Sequence, residues 1–473
     1  MPFLKLKCIG FVFFISGIAS CQTVSDSIKQ EIERRIELEI NPGISIGILK
    51  PDGNTQFYNF GCYDRHNKKR PDSLTLYEIG SVTKTFTSTL VNHHFRNNLN
   101  VSIARFFTEN TNPSLKKITV SELLNHTSGL PRLSPVFSPK DWSNPFSDYS
   151  DSLLYEELNV LKPVTSGTWG YSNFGYAILG KILELKTNKT HESLMKKIFR
   201  EAKMSHSYPD KQKIPTTHIA YPTNIGTGNA YWDFAGPSSY AGGLISCTKD
   251  LLKYLKYQKA TNPLFKKGLL NTAIPTGIVY FGYENLFYHN GWFVLKPEAR
   301  TEILLHNGGT GGFTSFIAYH KTSGYGVVVL SNSVSLIDDI GLKLIYPGFR
   351  LNKPDRTIAF ELADAIENGK TKDLIDLYHS LQKQGYPDNI LDIYWLERYF
   401  YGKQNYRVSN ALSDIMVAVL PEDWEVMDIK GQNLECLASY DEAVIAYKKA
   451  LALNPGNPDL IKKINRCKER SAN

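Results

Sequence analysis

Apolar residues recur along the chain with two different spacings, and the change from one to the other divides it. Over residues 25–40, Ile28, Ile32 and Ile36 repeat every four positions, with Leu38 alongside and charges between, the signature of one face of a helix. Asn41-Pro42-Gly43 stops that helix. Ile44-Ser45-Ile46-Gly47-Ile48-Leu49 then alternates as a strand does, and Asp52-Gly53 marks a hairpin turn that pairs residues 55–61 back on it. Further helices are predicted at 120–130, closing on Thr127-Ser128-Gly129 with Pro131 beyond, and at 174–185 and 241–257. Residues 301–306, 313–319 and 326–330 read as three strands of an antiparallel meander separated by Gly and Ser turns. Between 132 and 155 no period holds. That segment is rich in Ser, Pro and Asp yet carries Phe137, Trp142, Phe146 and Tyr149, as does a loop that walls a cleft or one that packs on the surface.

After Pro347 the strand signals fade and residues 355–470 read as helical. Pro387, Pro421 and Pro455 stand 34 residues apart, and Tyr406 and Tyr440 repeat at the same interval. The best unit runs Tyr440-Asp441-Glu442-Ala443-Val444-Ile445-Ala446-Tyr447 and on through Asn454-Pro455. A period of that length in paired helices reads as a solenoid, and this unit resembles a tetratricopeptide repeat, with two degenerate units before it and a capping helix at 459–467. Such a stack binds a protein partner or simply braces what precedes it. A chain of 473 residues is expected to hold two or three domains at about 100–200 residues each. The expected division is a targeting segment over 1–20, a catalytic domain over 21–346 and the repeats over 355–470.

The targeting segment has Lys5 and Lys7 at its start and an apolar run from Ile9 to Ala19, too short for the roughly 20 residues of a membrane span. It ends Ile18-Ala19-Ser20-Cys21, which resembles a bacterial lipobox, so Cys21 is the expected lipidation site of an exported cell-envelope protein tethered to a membrane by its lipid. Cys62, Cys247, Cys436 and Cys467 allow three full pairings, and nothing in their spacing selects one. The net charge of +8 is dispersed, with no run beyond Lys68-Lys69-Arg70, which excludes nucleic acid as a partner. No Cys-x-x-Cys or His-x-x-x-His spacing implies a metal, and no cofactor is expected.

The candidate chemistry centres on Ile79-Gly80-Ser81-Val82-Thr83-Lys84. A Gly-Ser step opening a helix puts Ser81 in the first turn with Lys84 three positions on, on the same face. The helix start offers free N–H groups to an oxyanion beside Ser81, and a deprotonated Lys84 could take the hydroxyl proton. Ser-x-x-Lys also occurs at Ser114/Lys117, Ser193/Lys196, Ser246/Lys249 and Ser380/Lys383, so the context decides. Tyr171-Ser172-Asn173 sits on a Gly-rich loop before a helix and offers a phenol for proton relay and an amide for hydrogen bonding. Tyr283-Glu284-Asn285 has the same spacing but lies in an aromatic stretch that reads as core. His306-Asn307-Gly308-Gly309 ends a strand in glycines that let backbone approach a substrate, whereas His289-Asn290-Gly291 lacks the further glycines and reads as structural.

Taken in order, these segments resemble the serine β-lactamase and penicillin-recognising family in its class C-like branch, over about residues 43–332. Leu123-Leu124-Asn125-His126-Thr127-Ser128-Gly129-Leu130-Pro131 and Ala241-Gly242-Gly243-Leu244-Ile245-Ser246 match further landmarks. The resemblance implies an α+β fold of β-lactamase/transpeptidase type: an antiparallel sheet flanked by helices with a helical subdomain, here followed by the all-α tail. It implies Ser81 as nucleophile, Lys84 and Tyr171 as acid and base, and an oxyanion held between the N–H groups of Ser81 and Gly309. Asn173, His306, Gly308 and Gly309 would bind substrate. His306 stands where many relatives have the lysine of Lys-Thr-Gly, which points to the esterase- and peptidase-like members. Free Lys and Tyr titrate near 10, so a base working near pH 7 needs a shift of roughly 3 units, or about 4 kcal/mol. The expected activity is hydrolysis of an ester or amide, in a small molecule or peptide, through acyl-Ser81. A β-lactamase or D-Ala-D-Ala carboxypeptidase is the alternative, and an inert protein binding through its repeats a third.

Overall fold

The computed structural model describes residues 24–472, apart from 65–67, 97, 135, 138, 142, 163–166, 216, 217, 226, 229, 230 and 267–271. The predicted targeting segment with Cys21 lies outside the described residues, as do Trp142 and Ser166. The first helix is Asp26–Glu37, and Ser25 caps it by accepting the N–H of Ile28. Its Ile28 and Ile32 are buried in one cluster with Ile44, Ile46 and Ile48. Arg35 on the same helix is fully buried, 2.9 Å from Glu31 and 2.6 Å from Asp339, so its charge is answered twice.

Eight strands form one antiparallel sheet in the order Thr55–Gly61, Gly43–Leu49, Gly326–Ser331, Thr314–His320, Ile303–Gly309, Trp292–Leu295, Leu286–His289 and Ile274–Pro275. The predicted meander is its centre, with Ile44 opposite Ser331 and Gly308 opposite Ser315. Alternation along the strands fills both faces. Val327 and Val329 join the cluster of the Asp26–Glu37 and Asp338–Ile345 helices, while Val328 and Leu330 join that of the Thr83–Phe95 and Thr248–Thr261 helices. At Gly47 the second layer comes so close that an added Cβ would lie 3.1 Å from the Leu252 side chain. The architecture is thus the α+β sheet flanked by helices that the pattern implied.

Three local expectations change. The helix expected at 120–130 is only Val120–Leu124, held by a reciprocal Thr119–Glu122 capping box, because His126 turns the chain out with φ +59°. The helix expected at 241–257 is split into Ser239–Gly242 and Thr248–Thr261 by the short strand Ile245–Ser246. Gly243 ends the first piece, and Leu244 then accepts the Ile79 N–H at 3.0 Å, drawing the chain into backbone pairing with the nucleophile segment. The loop beginning at 132 gives way earlier than 155 to the helix Asp151–Val160, where Ser150 caps it.

The C-terminal region is all helical: Ile358–Glu367, Leu374–Lys383, Ile390–Gly402, Tyr406–Val419, Trp424–Cys436, Tyr440–Leu453 and Pro458–Ser471. Tyr406 and Tyr440 each open a helix, and Pro421 and Pro455 each follow one. Gly431 lets the Trp424–Cys436 helix meet the Tyr447 ring, which an added Cβ would approach to 2.4 Å. The first five of these helices share the main core, where Ile358, Leu396, Leu412 and Ile429 belong to one buried cluster with Phe86 and Leu179, while Tyr447 and Leu460 of the last two lie in a separate cluster with Met427 and Leu434. Cys62, Cys247, Cys436 and Cys467 are free thiols.

Candidate active site

Ser81 sits in a tight turn, Gly80–Val82, that runs directly into the Thr83–Phe95 helix. Gly80 has φ +47°, and an added Cβ there would strike the backbone of Gly309 at 2.7 Å, so this glycine is needed for both reasons. No side chain caps the turn, and of its N–H groups that of Val82 is donated to Ile79 O at 3.1 Å. The end of the Ile303–Gly309 strand is pressed against it. Ser315 Oγ donates to Ile79 O at 2.8 Å, and a Cβ on Gly308 would lie 2.2 Å from Ile79 O and 2.8 Å from Ser81 N. Thr310 N–H donates to Phe313 O across the following turn at 3.0 Å. Ladder alternation therefore turns the Gly309 N–H away from the neighbouring strand and out beside Ser81.

Lys84 has no exposed surface. Its Nζ donates to Ser81 Oγ at 3.1 Å and to Ala241 O at 2.7 Å, so the second landmark segment supplies the carbonyl that aims the lysine. Burial, with the charge of Arg132 adding, holds the amine well below its ordinary value of 10.5. Tyr171 hydrogen-bonds Ser81, and its ring lies 5.0 Å from Lys84 Nζ. Burial pushes its phenol up to about 12, against the smaller opposing effects of that hydrogen bond and of Arg132. Asn173 is the first residue of the Asn173–Thr187 helix, and its side chain lines the cavity in front of Ser81. Ser172 caps this helix by accepting the Gly175 N–H at 2.9 Å.

The structure therefore gathers Ser81, Lys84, Tyr171, Asn173, Gly308 and Gly309 at one place. His306 is beside it, on the same strand face as Gly308 and near enough to feel the Lys84 charge, but it is fully buried and does not line the cavity, which its neighbour Asn307 does. His306 Nδ1 donates to Asn307 O at 2.7 Å, and its ring lies 5.3 Å from that of Phe293. Burial first, then the charge of Lys84, pushes its imidazole down to about 3, so it is neutral near pH 7. Tyr283 stacks on Phe349, far from this arrangement in partners, and His289 ends the strand Leu286–His289, one in from the sheet edge.

Four groups went unassigned in the sequence reading. His126 pins the Tyr171 loop twice: its O accepts the Gly170 N–H at 2.8 Å and its Nδ1 the Ser172 N–H at 3.1 Å. Arg132 lies 5.3 Å over the Tyr171 ring and lines the cavity. Glu78 is buried beneath the oxyanion strand, accepting Thr310 Oγ1 at 2.6 Å and the Trp232 N–H at 2.8 Å, and burial pushes its carboxyl up to about 8. The landmark around Asn125-His126 carried a signal for His126. Nothing in the sequence spacing pointed to the fourth group, the C-terminal side chains that line the same cavity, among them Tyr394, Trp395 and Glu425.

A sequence profile of the Beta-lactamase family matches residues 29–342, more than half of the chain and all of the site just described except its C-terminal side chains. The chain belongs to the Beta-lactamase family. Protein flp of Staphylococcus aureus strain NCTC 8325 is 29% identical over 334 residues, covering 65% of this chain and 64% of that protein. The Staphylococcus aureus N315 form is 28% identical over the same length. A protein named Beta-lactamase from Providencia stuartii is 27% identical over 249 residues, 51% of this chain and 61% of that one. The chain thus spans 64% of the length of the first of these relatives. In this member of the Beta-lactamase family, the matched region ends at residue 342, ahead of the C-terminal helices that close the cavity.

Proposed function

We propose that the protein is a serine hydrolase that cleaves esters or amides through an acyl-Ser81 intermediate. The observation that carries this is the buried Lys84 amine 3.1 Å from Ser81 Oγ, held at low basicity by burial. Burial favours the neutral form of this amine, and that form accepts the hydroxyl proton as Ser81 Oγ attacks the carbonyl. The oxyanion settles between the N–H groups of Ser81 and Gly309. Tyr171, protonated well past neutral pH, gives its proton to the leaving group and regains one from the Lys84 ammonium; Lys84, neutral again, then takes a proton from the water that frees the acyl chain. The opposed shifts of the two groups support Lys84 as base and Tyr171 as acid. Asn173, Gly308 and Gly309 then flank the bound acyl group.

The class C-like branch remains our assignment within the family, and its esterase- and peptidase-like side is favoured because His306 supplies no cation for a substrate carboxylate. The β-lactam or D-Ala-D-Ala reading has one observation of its own, the Arg132 guanidinium in the cavity wall. We further assign the tail to tetratricopeptide-like repeats and the mature protein to the cell envelope, lipidated at Cys21. These rest on the 34-residue period and on the sequence of residues 1–21.

A fluorophosphonate probe followed by mass spectrometry tests the reaction class: the adduct is expected on Ser81 and lost in Ser81→Ala. Equal labelling of the variant would end the hydrolase reading. Nitrocefin, a labelled penicillin and p-nitrophenyl esters offered side by side separate the esterase from the β-lactamase.

A further inference from the structure

The cavity over Ser81 has a volume of about 700 Å³, within the roughly 300–1,000 Å³ of sites for small organic ligands. Only part of its wall comes from the region matched to the family. The Ile390–Gly402 helix supplies Leu391, Tyr394 and Trp395, and the Trp424–Cys436 helix supplies Glu425 and Ile429. Trp395 is firmly placed: its ring lies 5.8 Å from that of Trp232, and its carbonyl accepts the Asn224 amide. The rim is unusual for a surface exposed to water. Ile278 is 39% exposed, Leu336 59%, Leu391 62% and Leu420 36%, and all four line this one cavity. Two come from loops beside the sheet and two from the C-terminal helices. Large aliphatic side chains scattered singly mean little, but four around one opening that leads to a nucleophile mark a path for apolar matter. Charged groups in the wall are few: Arg132, Asp423 and Glu425, with burial pushing the Glu425 carboxyl up to about 7 against the charge of Arg132.

We propose that the substrate is an ester or amide whose acyl side bears an extended, uncharged apolar chain, and that the C-terminal helices set this preference by forming the outer wall of the cavity. The proposal rests on the acyl-Ser81 reading and adds the substrate class to it. The carbonyl lies at Ser81, and the chain runs past Tyr394 and Trp395 to leave between Leu391 and Leu420.

The test uses the full chain with p-nitrophenyl acetate and octanoate. Each buried methylene is worth about fourfold in kcat/KM, so burial of about three of the additional ones gives the octanoate a roughly 50-fold advantage. In Leu391→Glu with Leu420→Glu, both at exposed positions, that ratio is expected to fall at least about tenfold. Fluorophosphonate labelling of Ser81 checks that the variant is folded. Equal kcat/KM for the two esters in the wild type, or an unchanged ratio in the variant, overturns the proposal while leaving the hydrolase reading in place. A second measurement needs no chemistry: in Ser81→Ala, decanol is expected to displace bound N-phenyl-1-naphthylamine, and to fail when the two glutamates are added. If no ester acylates Ser81 but this displacement holds, the apolar site stands and the hydrolase reading falls. If decanol displaces nothing, the apolar site falls. Octanoyl ester offered in solution and a long-chain ester offered in phosphatidylethanolamine vesicles distinguish a dissolved substrate from one drawn out of a bilayer.

Discussion

Replacing Lys84 by Met removes the titrating group from the centre of the site and keeps a side chain of similar length. Lys84 is fully buried, and its amine is held well below 10.5, chiefly by desolvation. The unfolded chain binds a proton on this residue up to its ordinary value, while the folded chain gives that proton up at lower pH. Between the two values the unfolded state holds more protons, so stability rises with pH by about 1.4 kcal/mol per unit. Met cannot titrate. Over the pH range between those two values the wild type should therefore gain on Lys84→Met as the pH rises. The offset at pH 7 has another origin: Met leaves the Ala241 carbonyl without its donor, at a cost of about 1–3 kcal/mol, and that term does not change with pH. Urea unfolding of both proteins at pH 7, 8 and 9 measures the slope, because titrating groups that do not feel the Lys84 charge cancel in the difference. The same variant should lose at least about 10²-fold in ester turnover. An amine of ordinary basicity would be neutral in only roughly one molecule in 3,000 at pH 7. Parallel stability curves for the two proteins would show that Lys84 titrates normally and refute its role as base.

Tyr171→Phe keeps the ring under Arg132 and Lys84 but removes the phenol, so ester turnover should fall by about 10²–10⁴ while thermal unfolding is nearly unchanged. Gly308→Ala and Gly309→Ala form a contrasting pair. The Cβ at 308 would lie 2.2 Å from Ile79 O, while at 309 the nearest atom is 3.9 Å away, so only Gly308→Ala should abolish Ser81 labelling and lower the melting temperature. Glu78 titrates at about 8 when folded, against 4.5 otherwise, so its protonated form favours the fold at low pH. That contribution is full below 4.5 and is lost as pH rises through 8. Glu78→Gln should match the wild type in stability at pH 4 and exceed it at pH 9, as thermal scans at the two values would reveal.

Some of the site was legible because it is local. Ser81 and Lys84 are three positions apart, and the geometry of one helical turn brings them together whatever lies around them. The Gly-rich approach to Tyr171 separated it from Tyr283, which the structure packs on Phe349. At His306 the same kind of reasoning stopped short. A strand pattern says that His306 and Asn307 face opposite ways, but not which face borders the cavity. Packing against Phe293 buried the histidine out of the cavity wall, which Asn307 and Gly308 both line. The hairpin turn at Asn290-Gly291 carries a local signal of its own, the Asn-Gly pair, and both residues are at positive φ in the structure. The 34-residue spacing likewise located the helices of the tail, since Tyr406 and Tyr440 recur as helix starts.

By itself, the amino-acid order determined which segments would be strand or helix, the period of the tail, and the pairing of hydroxyl and amine on one turn. All of these depend on neighbours within a few residues, where backbone geometry alone sets the spacing. Only the tertiary structure decided how basic Lys84 and Tyr171 are, because desolvation depends on what covers a group. It also decided that Trp395 and Leu391 stand over Ser81. Contacts between residues some 300 positions apart arise from the packing of whole layers, and no local pattern encodes them.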